Sequence, residues 1–214
     1  MKKILLLGGS IELGYQSYIK ESFKGVAVMS AAKGNCQFSL YLLRWINKWK
    51  DEDGWPDDIN VIHWNVGLWD VLRILDDDTH TPITVYADTL KRIHHRLQIL
   101  FPKAKQIFAT STAVVEEEYE YPYQRYNADI EKFNEAAIKV LSPLGVAIND
   151  LYSITRNAPQ SCRSDMTHYY TIDGIKLIGG KVVKSLCEQL DIDVEDTNNI
   201  DAVIPQLSKE LIGN

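Results

Sequence analysis

Cysteine is scarce in this chain: Cys36, Cys162 and Cys187 are its three, widely separated and odd in number. They lack the paired spacing of a zinc site and the density of a disulfide scaffold. Reduced thiols in a reducing compartment are the expectation, and a small disulfide-stapled fold is excluded. There is also no run of lysine and arginine. The 23 basic residues are outnumbered by 29 acidic ones, for a formal net charge of -6. A face that neutralises phosphates needs the opposite sign, so nucleic acid is not an expected partner. Long hydrophobic runs are missing as well, and no stretch has the length and apolarity of a membrane span. The opening Met1-Lys2-Lys3 resembles the start of a signal peptide, but the apolar run Ile4–Leu7 stops at Gly8, too early for a signal-peptide core. A buried first strand and a cytoplasmic protein are expected.

What is present is ordinary globular composition, 45% hydrophobic and 24% charged, over 214 residues. That length suits one domain. Short continuous apolar runs lie at Ile4–Leu7, Val26–Met29, Ile59–Trp64, Gln106–Ala109 and Val146–Ile148. Each is ended by glycine or small polar residues, the signature of parallel strands covered on both faces. Helical periodicity fills the intervals at 13–23, 37–49, 84–100, 124–141 and 174–190. The second of these places Phe38, Leu42, Trp45 and Trp49 on a helical stripe. Alternating strands and helices predict an α/β fold: a three-layer α/β/α sandwich, flavodoxin-like, with a central five-stranded parallel sheet. It should occupy residues 1–190. Residues 191–214 read as an acidic linker and a C-terminal helix packed on the same domain.

Ligands of such sheets bind outside the carboxyl ends of the strands. The first of these loops holds Ser10, flanked by Gly8-Gly9 and followed by Gly14. A serine there can stand exposed at the sheet edge, and the N-terminus of a following helix would favour negative charge beside it. A serine in that position equally serves as a helix cap. The last loop holds Asp165-Met166-Thr167-His168. A neutral serine needs a base, which an imidazole supplies, and a carboxylate can hold the far ring nitrogen and fix the tautomer. Asp-x-x-His is short and common by chance; its place before the last large helix is what singles it out. Two further loops can supply oxyanion donors alongside the Ser10 N–H: Gly34 through its backbone and Asn65 through its side-chain amide. Gly67 offers an unobstructed N–H toward substrate.

Other polar residues have simpler readings. His63 lies inside a strand and should be buried and hydrogen-bonded. His94-His95 sit in a helix, roughly 100° apart, and read as a solvated face. His80 after Asp76-Asp77-Asp78 reads as an acidic turn, not a metal site. The tract from Glu116 to Tyr123 is long for a loop; it is a candidate lid whose Tyr121 and Tyr123 could contact substrate.

Taken together, these blocks resemble those of the SGNH hydrolases, also called GDSL-type esterases and lipases. Gly8-Gly9-Ser10-Ile11 is similar to the serine block, Gly34-Asn35 to the glycine block, Gly67 to Asp70 to the Gly-x-Asn-Asp block, and Asp165 to His168 to the Asp-x-x-His block. The resemblance covers residue 3 to about 190. Two departures matter: Gly9 stands where the family has aspartate, and Trp69 where it has asparagine. Asn65 is the nearest amide able to replace the latter; otherwise this donor is missing. The resemblance implies hydrolysis of a small-molecule ester, an acetylated sugar or short-chain acyl ester, through an acyl-enzyme, with no metal or organic cofactor. A catalytically weak or inactive carbohydrate- or partner-binding protein on the same fold is one alternative. A nucleotide-binding module is another, although Gly8–Gly14 fits neither G-x-G-x-x-G nor the phosphate-loop pattern.

Overall fold

A computed structural model describes residues 1–193 and 200–212. The elements in chain order are β1 (Lys2–Leu7), α1 (Ser10–Ser22), β2 (Ala27–Ala31), α2 (Ser39–Glu52), β3 (Val61–Trp64) and β4 (Arg73–Ile74). They continue with α3 (Ile83–Leu100), β5 (Lys105–Ala109), β6 (Tyr123–Gln124), α4 (Asn127–Leu141), β7 (Ala147–Asn149), α5 (Tyr152–Thr155), α6 (Ile172–Leu190) and α7 (Ile200–Ile212). Five strands form one sheet in the order β2-β1-β3-β5-β7, and every pairing is parallel. This is the doubly wound order of the flavodoxin-like fold. Helices α1 and α6 pack together on one side with α7 against them; α2, α3 and α4 pack side by side on the other. The acidic stretch expected after α6 lies mostly outside the described residues, whereas its helix is α7.

The sheet forms where the sequence is uniformly apolar. Ile4, Leu5, Leu6 and Leu7 are all fully buried, as a strand covered by helices on both faces requires. Each such leucine contributes about 1.5–3 kcal/mol over an exposed one. The edge strands β2 and β7 are less covered, and Val28 of β2 is exposed. Helix α3 follows Pro82 and stops at Leu100, ahead of Pro102. Helix α6 is capped by Thr171, whose hydroxyl accepts from the Gly174 N–H at 3.1 Å.

Register is what matters for function. Leu7 lies opposite Trp64, Trp64 opposite Phe108, and Phe108 opposite Ile148. The loops after β1, β3, β5 and β7 therefore leave the sheet along one edge.

The structure departs from the sequence expectations at a few places. Helix α1 begins at Ser10, three residues before residue 13, because Gly9 takes the extended backbone of a helix cap (φ -90°, ψ -156°). On α2 the buried stripe is Ser39, Leu42, Leu43 and Ile46; Phe38, Trp45 and Trp49 flank it, half-buried. His94 is buried and bonded to Gln106 at 3.1 Å, and only His95 is solvated. His63 is buried as expected, within 3.1 Å of the Asn149 amide. Cys36 and Cys162 are buried free thiols. No helix among the described residues is long and apolar enough to cross a membrane.

Candidate active site

Strand β1 runs straight into α1 through Gly8 and Gly9, so Ser10 occupies the first turn of a 13-residue helix at the sheet edge. The N–H groups of that turn have no partner within the helix and create a positive pole beside the Ser10 hydroxyl. A methyl group on Gly8 would come within 2.4 Å of the Glu12 Cβ, so this tight strand-to-helix passage excludes a side chain there.

Opposite it, the loop before α6 brings His168 to Ser10, 158 residues away in sequence, with Nε2 2.8 Å from Oγ. The other ring nitrogen, Nδ1, is 2.8 and 3.0 Å from the two Asp165 oxygens. An ionised carboxylate only accepts, so Nδ1 carries the proton and Nε2 presents its lone pair to the serine. Asp165 Oδ1 also accepts from the backbone N–H of Thr167 at 2.7 Å and of His168 at 2.8 Å. Burial works to raise the Asp165 carboxyl, but these backbone N–H groups and the His168 ring outweigh it and hold the group below its ordinary value. It is therefore charged at neutral pH.

Tyr170 completes this corner. Its ring stacks on His168 with centroids 4.7 Å apart and planes at 26°. Its hydroxyl donates to the Ser10 carbonyl at 2.8 Å. Burial pushes the phenol up to about 12, so it remains a donor through the physiological range. The ring rests on Gly14, where a Cβ would come within 2.5 Å of it.

Ser10 and His168 open into a cleft of about 940 Å³. Its lining includes Leu68, Trp69, Leu72 and Ile74 together with Tyr119, Tyr121 and Tyr123. Tyr121, Tyr123 and Trp69 expose much of their ring surface. The tract expected as a lid is anchored: Tyr123–Gln124 pairs antiparallel with Arg73–Ile74, and the Leu75 N–H donates to the Pro122 carbonyl at 2.9 Å. A two-residue ladder is too short to leave a periodic pattern, so the sequence gives no sign of it.

The remaining sequence candidates sit apart from the cleft walls. Asn65 donates one amide N–H to the Ala109 carbonyl at 2.6 Å, tying the ends of β3 and β5 together, and keeps a second N–H. Gly67 has φ +146°, and a Cβ there would come within 2.3 Å of the Ser111 Oγ. Packing alone therefore demands glycine at that position. Nothing lies within 4 Å of a Cβ built on Gly34. A Cβ on Gly9 would stand 3.3 Å from the Asn35 amide oxygen, so a side chain at this position would need Asn35 to give by a few tenths of an ångström. Asp70, at the end of its block, is buried and accepts from the Ser39 N–H at 3.0 Å and the Ser39 hydroxyl at 2.6 Å. It anchors the start of α2; burial raises it to about 6 against the pull of those bonds.

Two residues of the site carry no motif in the sequence, Arg125 and Tyr170, whereas Tyr119 lies within the Glu116–Tyr123 tract read as a candidate lid. For Tyr170 the one available signal is its place two residues beyond His168. Arg125 has no comparable neighbour.

No family model matches the chain. A GDSL esterase/lipase from Arabidopsis thaliana is 25% identical over 119 residues, 51% of this chain and 46% of that protein, so the match spans less than half of the relative's length. Among solved structures, a lipase/acylhydrolase from Enterococcus faecalis superposes with a TM-score of 0.69 at 20% identity, covering 92% of this chain and 100% of that one. A carbohydrate esterase family 3 protein from Talaromyces cellulolyticus superposes with a TM-score of 0.64 at 15% identity, covering 90% and 100%. The structural likenesses establish the fold, and the sequence match over half of the chain is to a GDSL-type esterase/lipase.

Proposed function

We propose that the protein is a serine esterase acting on small carboxylic esters, with Ser10 as nucleophile, His168 as general base and Asp165 as the group that orients the imidazole. The observation that carries this reading is the unbroken hydrogen-bonded series from Asp165 through His168 to Ser10, with contacts of 2.8 Å on both sides of the ring. In the reaction, the Ser10 Oγ–H proton passes to His168 Nε2 as Oγ bonds to the ester carbonyl carbon. The resulting imidazolium stands against the charged Asp165. Collapse of the tetrahedral intermediate breaks the C–O bond, and the departing alcohol takes the proton from Nε2. Water then repeats the sequence on the acyl-enzyme, releasing the acid and restoring the serine.

The oxyanion donors in this reading are the Ser10 N–H at the start of α1, the Gly34 N–H and the second amide N–H of Asn65. Trp69 lines the cleft where the family has asparagine. If Asn65 does not fill that role, the missing donor lowers the rate by about 10²–10³, and turnover is modest.

The alcohol portion fits a sugar or a similar ring-shaped polyol. Exposed aromatic faces at Trp69, Tyr121 and Tyr123 offer stacking surfaces in the cleft, and one structural neighbour is a carbohydrate esterase. Residues 1–190 form the catalytic unit in this reading, and 191–214 are an appendage packed on it. The reduced thiols favour a cytoplasmic setting.

Two measurements test the proposal: hydrolysis of p-nitrophenyl acetate and butyrate, and labelling by a fluorophosphonate. Ser10→Ala should abolish labelling and lower kcat by as much as roughly 10⁶, the scale seen when a developed triad loses its serine. Turnover unchanged by Ser10→Ala would overturn the assignment. Trp69 favours one other reading, a sugar-binding protein without turnover; it predicts micromolar binding of an acetylated sugar with no acid released.

A further inference from the structure

We infer that Tyr119 is a positioning residue for the acid–base loop, and that Arg125 sets the direction in which its hydroxyl donates. The inference rests on the triad roles proposed above. The hydrogen bonds from Thr167 and His168 to Asp165 fix the carboxylate within its own turn. They do not fix that turn against Ser10, which arrives from the other end of the chain. The internal bond from the Ser164 N–H to the His168 carbonyl, 3.0 Å, also only closes the loop on itself. External ties must supply the rest.

Two of these ties come from the tract between β5 and α4. The Val115 N–H donates to the Met166 carbonyl at 2.9 Å. The Tyr119 hydroxyl lies 2.6 Å from Thr167 Oγ1. Arg125 decides which way the second bond runs. Its Nη1 donates to the Tyr119 oxygen at 3.2 Å, while its Nε donates to the Leu68 carbonyl at 2.6 Å. With a guanidinium donating to it, the phenol oxygen acts as acceptor on that side and its own proton points to Thr167. A neighbouring positive charge also strengthens the phenol as a donor. One side-chain pair thus joins three segments: the block containing Leu68, the aromatic tract, and the turn bearing Asp165 and His168. Reacting groups held loosely by a fraction of an ångström lose much of the advantage of orientation.

The test uses Tyr119→Phe, Thr167→Val and the double variant. Each single change should lower kcat on p-nitrophenyl acetate roughly tenfold with little change in KM, on the scale of one charge-assisted hydrogen bond. The double variant should be no worse than either single one, and Thr167→Ser should restore wild-type kcat. A readout independent of turnover is the His168 Nδ1 proton seen by NMR: in Tyr119→Phe it should exchange faster with water, with a resonance displaced upfield. That readout stands even if the protein hydrolyses no ester, so failure of the esterase reading and failure of this one are distinguishable. The inference is overturned if the losses multiply in the double variant, or if the Nδ1 proton is indifferent to Tyr119→Phe in a folded protein.

Discussion

Replacing Asp165 by asparagine keeps the shape of the site and changes one donor, which makes it a sharp probe. Asp165 Oδ1 accepts from two backbone N–H groups at 2.7 and 2.8 Å and lies 3.0 Å from His168 Nδ1, while Oδ2 is the nearer partner of Nδ1 at 2.8 Å. In Asp165→Asn, the amide oxygen is held at the Oδ1 position, because the alternative sets an NH₂ against two N–H donors. The NH₂ then occupies the Oδ2 position and donates to Nδ1. The imidazole must move its proton to Nε2, where it points at Ser10 Oγ and can no longer accept. The general base is lost without any change in packing. In a protease whose triad carboxylate was changed in this way, the wrong tautomer lowered kcat by about 10⁴, equivalent to about 5.4 kcal/mol at 1.36 kcal/mol per decade. Asp165→Ala should be less damaging at neutral pH, since it removes the orienting carboxylate without imposing the wrong tautomer. The assay is kcat on p-nitrophenyl acetate, corrected for the fraction of protein labelled by a fluorophosphonate, with thermal unfolding as a check on folding. If Asp165→Asn retains activity within tenfold of wild type, or outperforms Asp165→Ala, the assigned hydrogen-bond directions are wrong.

Other expectations follow from the surroundings of Ser10. Glu12 is fully buried, Oε2 has no hydrogen-bond partner among the described residues, and burial raises the carboxyl from 4.5 to about 7 against the pull of the Gln16 amide. The folded state thus keeps a proton that the unfolded chain releases, so wild-type stability falls as pH rises from about 4.5 to about 7. A shift of that size corresponds to about 3 kcal/mol. Glu12→Gln should therefore gain on wild type in urea unfolding by up to that amount at pH 8.5, with the gain absent at pH 4.5; a pH-independent difference would contradict it. Asp165 acts in the opposite sense: its depressed carboxyl contributes stability above the unfolded value near 3.9, lost as pH falls through the lower folded value. Asp165→Asn should accordingly flatten the acid limb of a stability–pH curve. In Gly14→Ala, the new methyl would press on the Tyr170 ring at 2.5 Å. That ring stacks on His168 and bonds to Ser10, so kcat should fall by about tenfold or more, with stability lowered by about 1–3 kcal/mol as in other overpacked sites. Full activity in that variant would show that Tyr170 does not matter to the geometry.

Much of the architecture is legible because parallel strands write themselves plainly. Ile4–Leu7 is a continuous apolar run and Ile59–Trp64 and Gln106–Ala109 are mostly apolar, as short strands between amphipathic helices are. The edge strand β2 obeys the same rule although Val28 is exposed, since one neighbour is enough to recruit it. His94 departs from the expected solvated face because its pairing with His95 does not set the helical phase; Gln106 on the adjacent strand decides its burial. Composition places the start of α1 three residues late because Gly9 and Gly14 read as loop, and the backbone angles of a single cap residue leave no mark in it.

The sequence by itself determined the order of strands and helices, hence which loops could share an edge, and it singled out a serine, an aspartate and a histidine on two of those loops. Only the tertiary structure decided that the imidazole reaches the hydroxyl, that the Asn65 amide is partly committed to Ala109, and that Tyr119, Arg125 and Tyr170 brace the site. The reason is physical: local patterns arise from interactions a few residues apart, whereas hydrogen bonds between side chains from distant parts of the chain depend on distances that exist only after the core has closed.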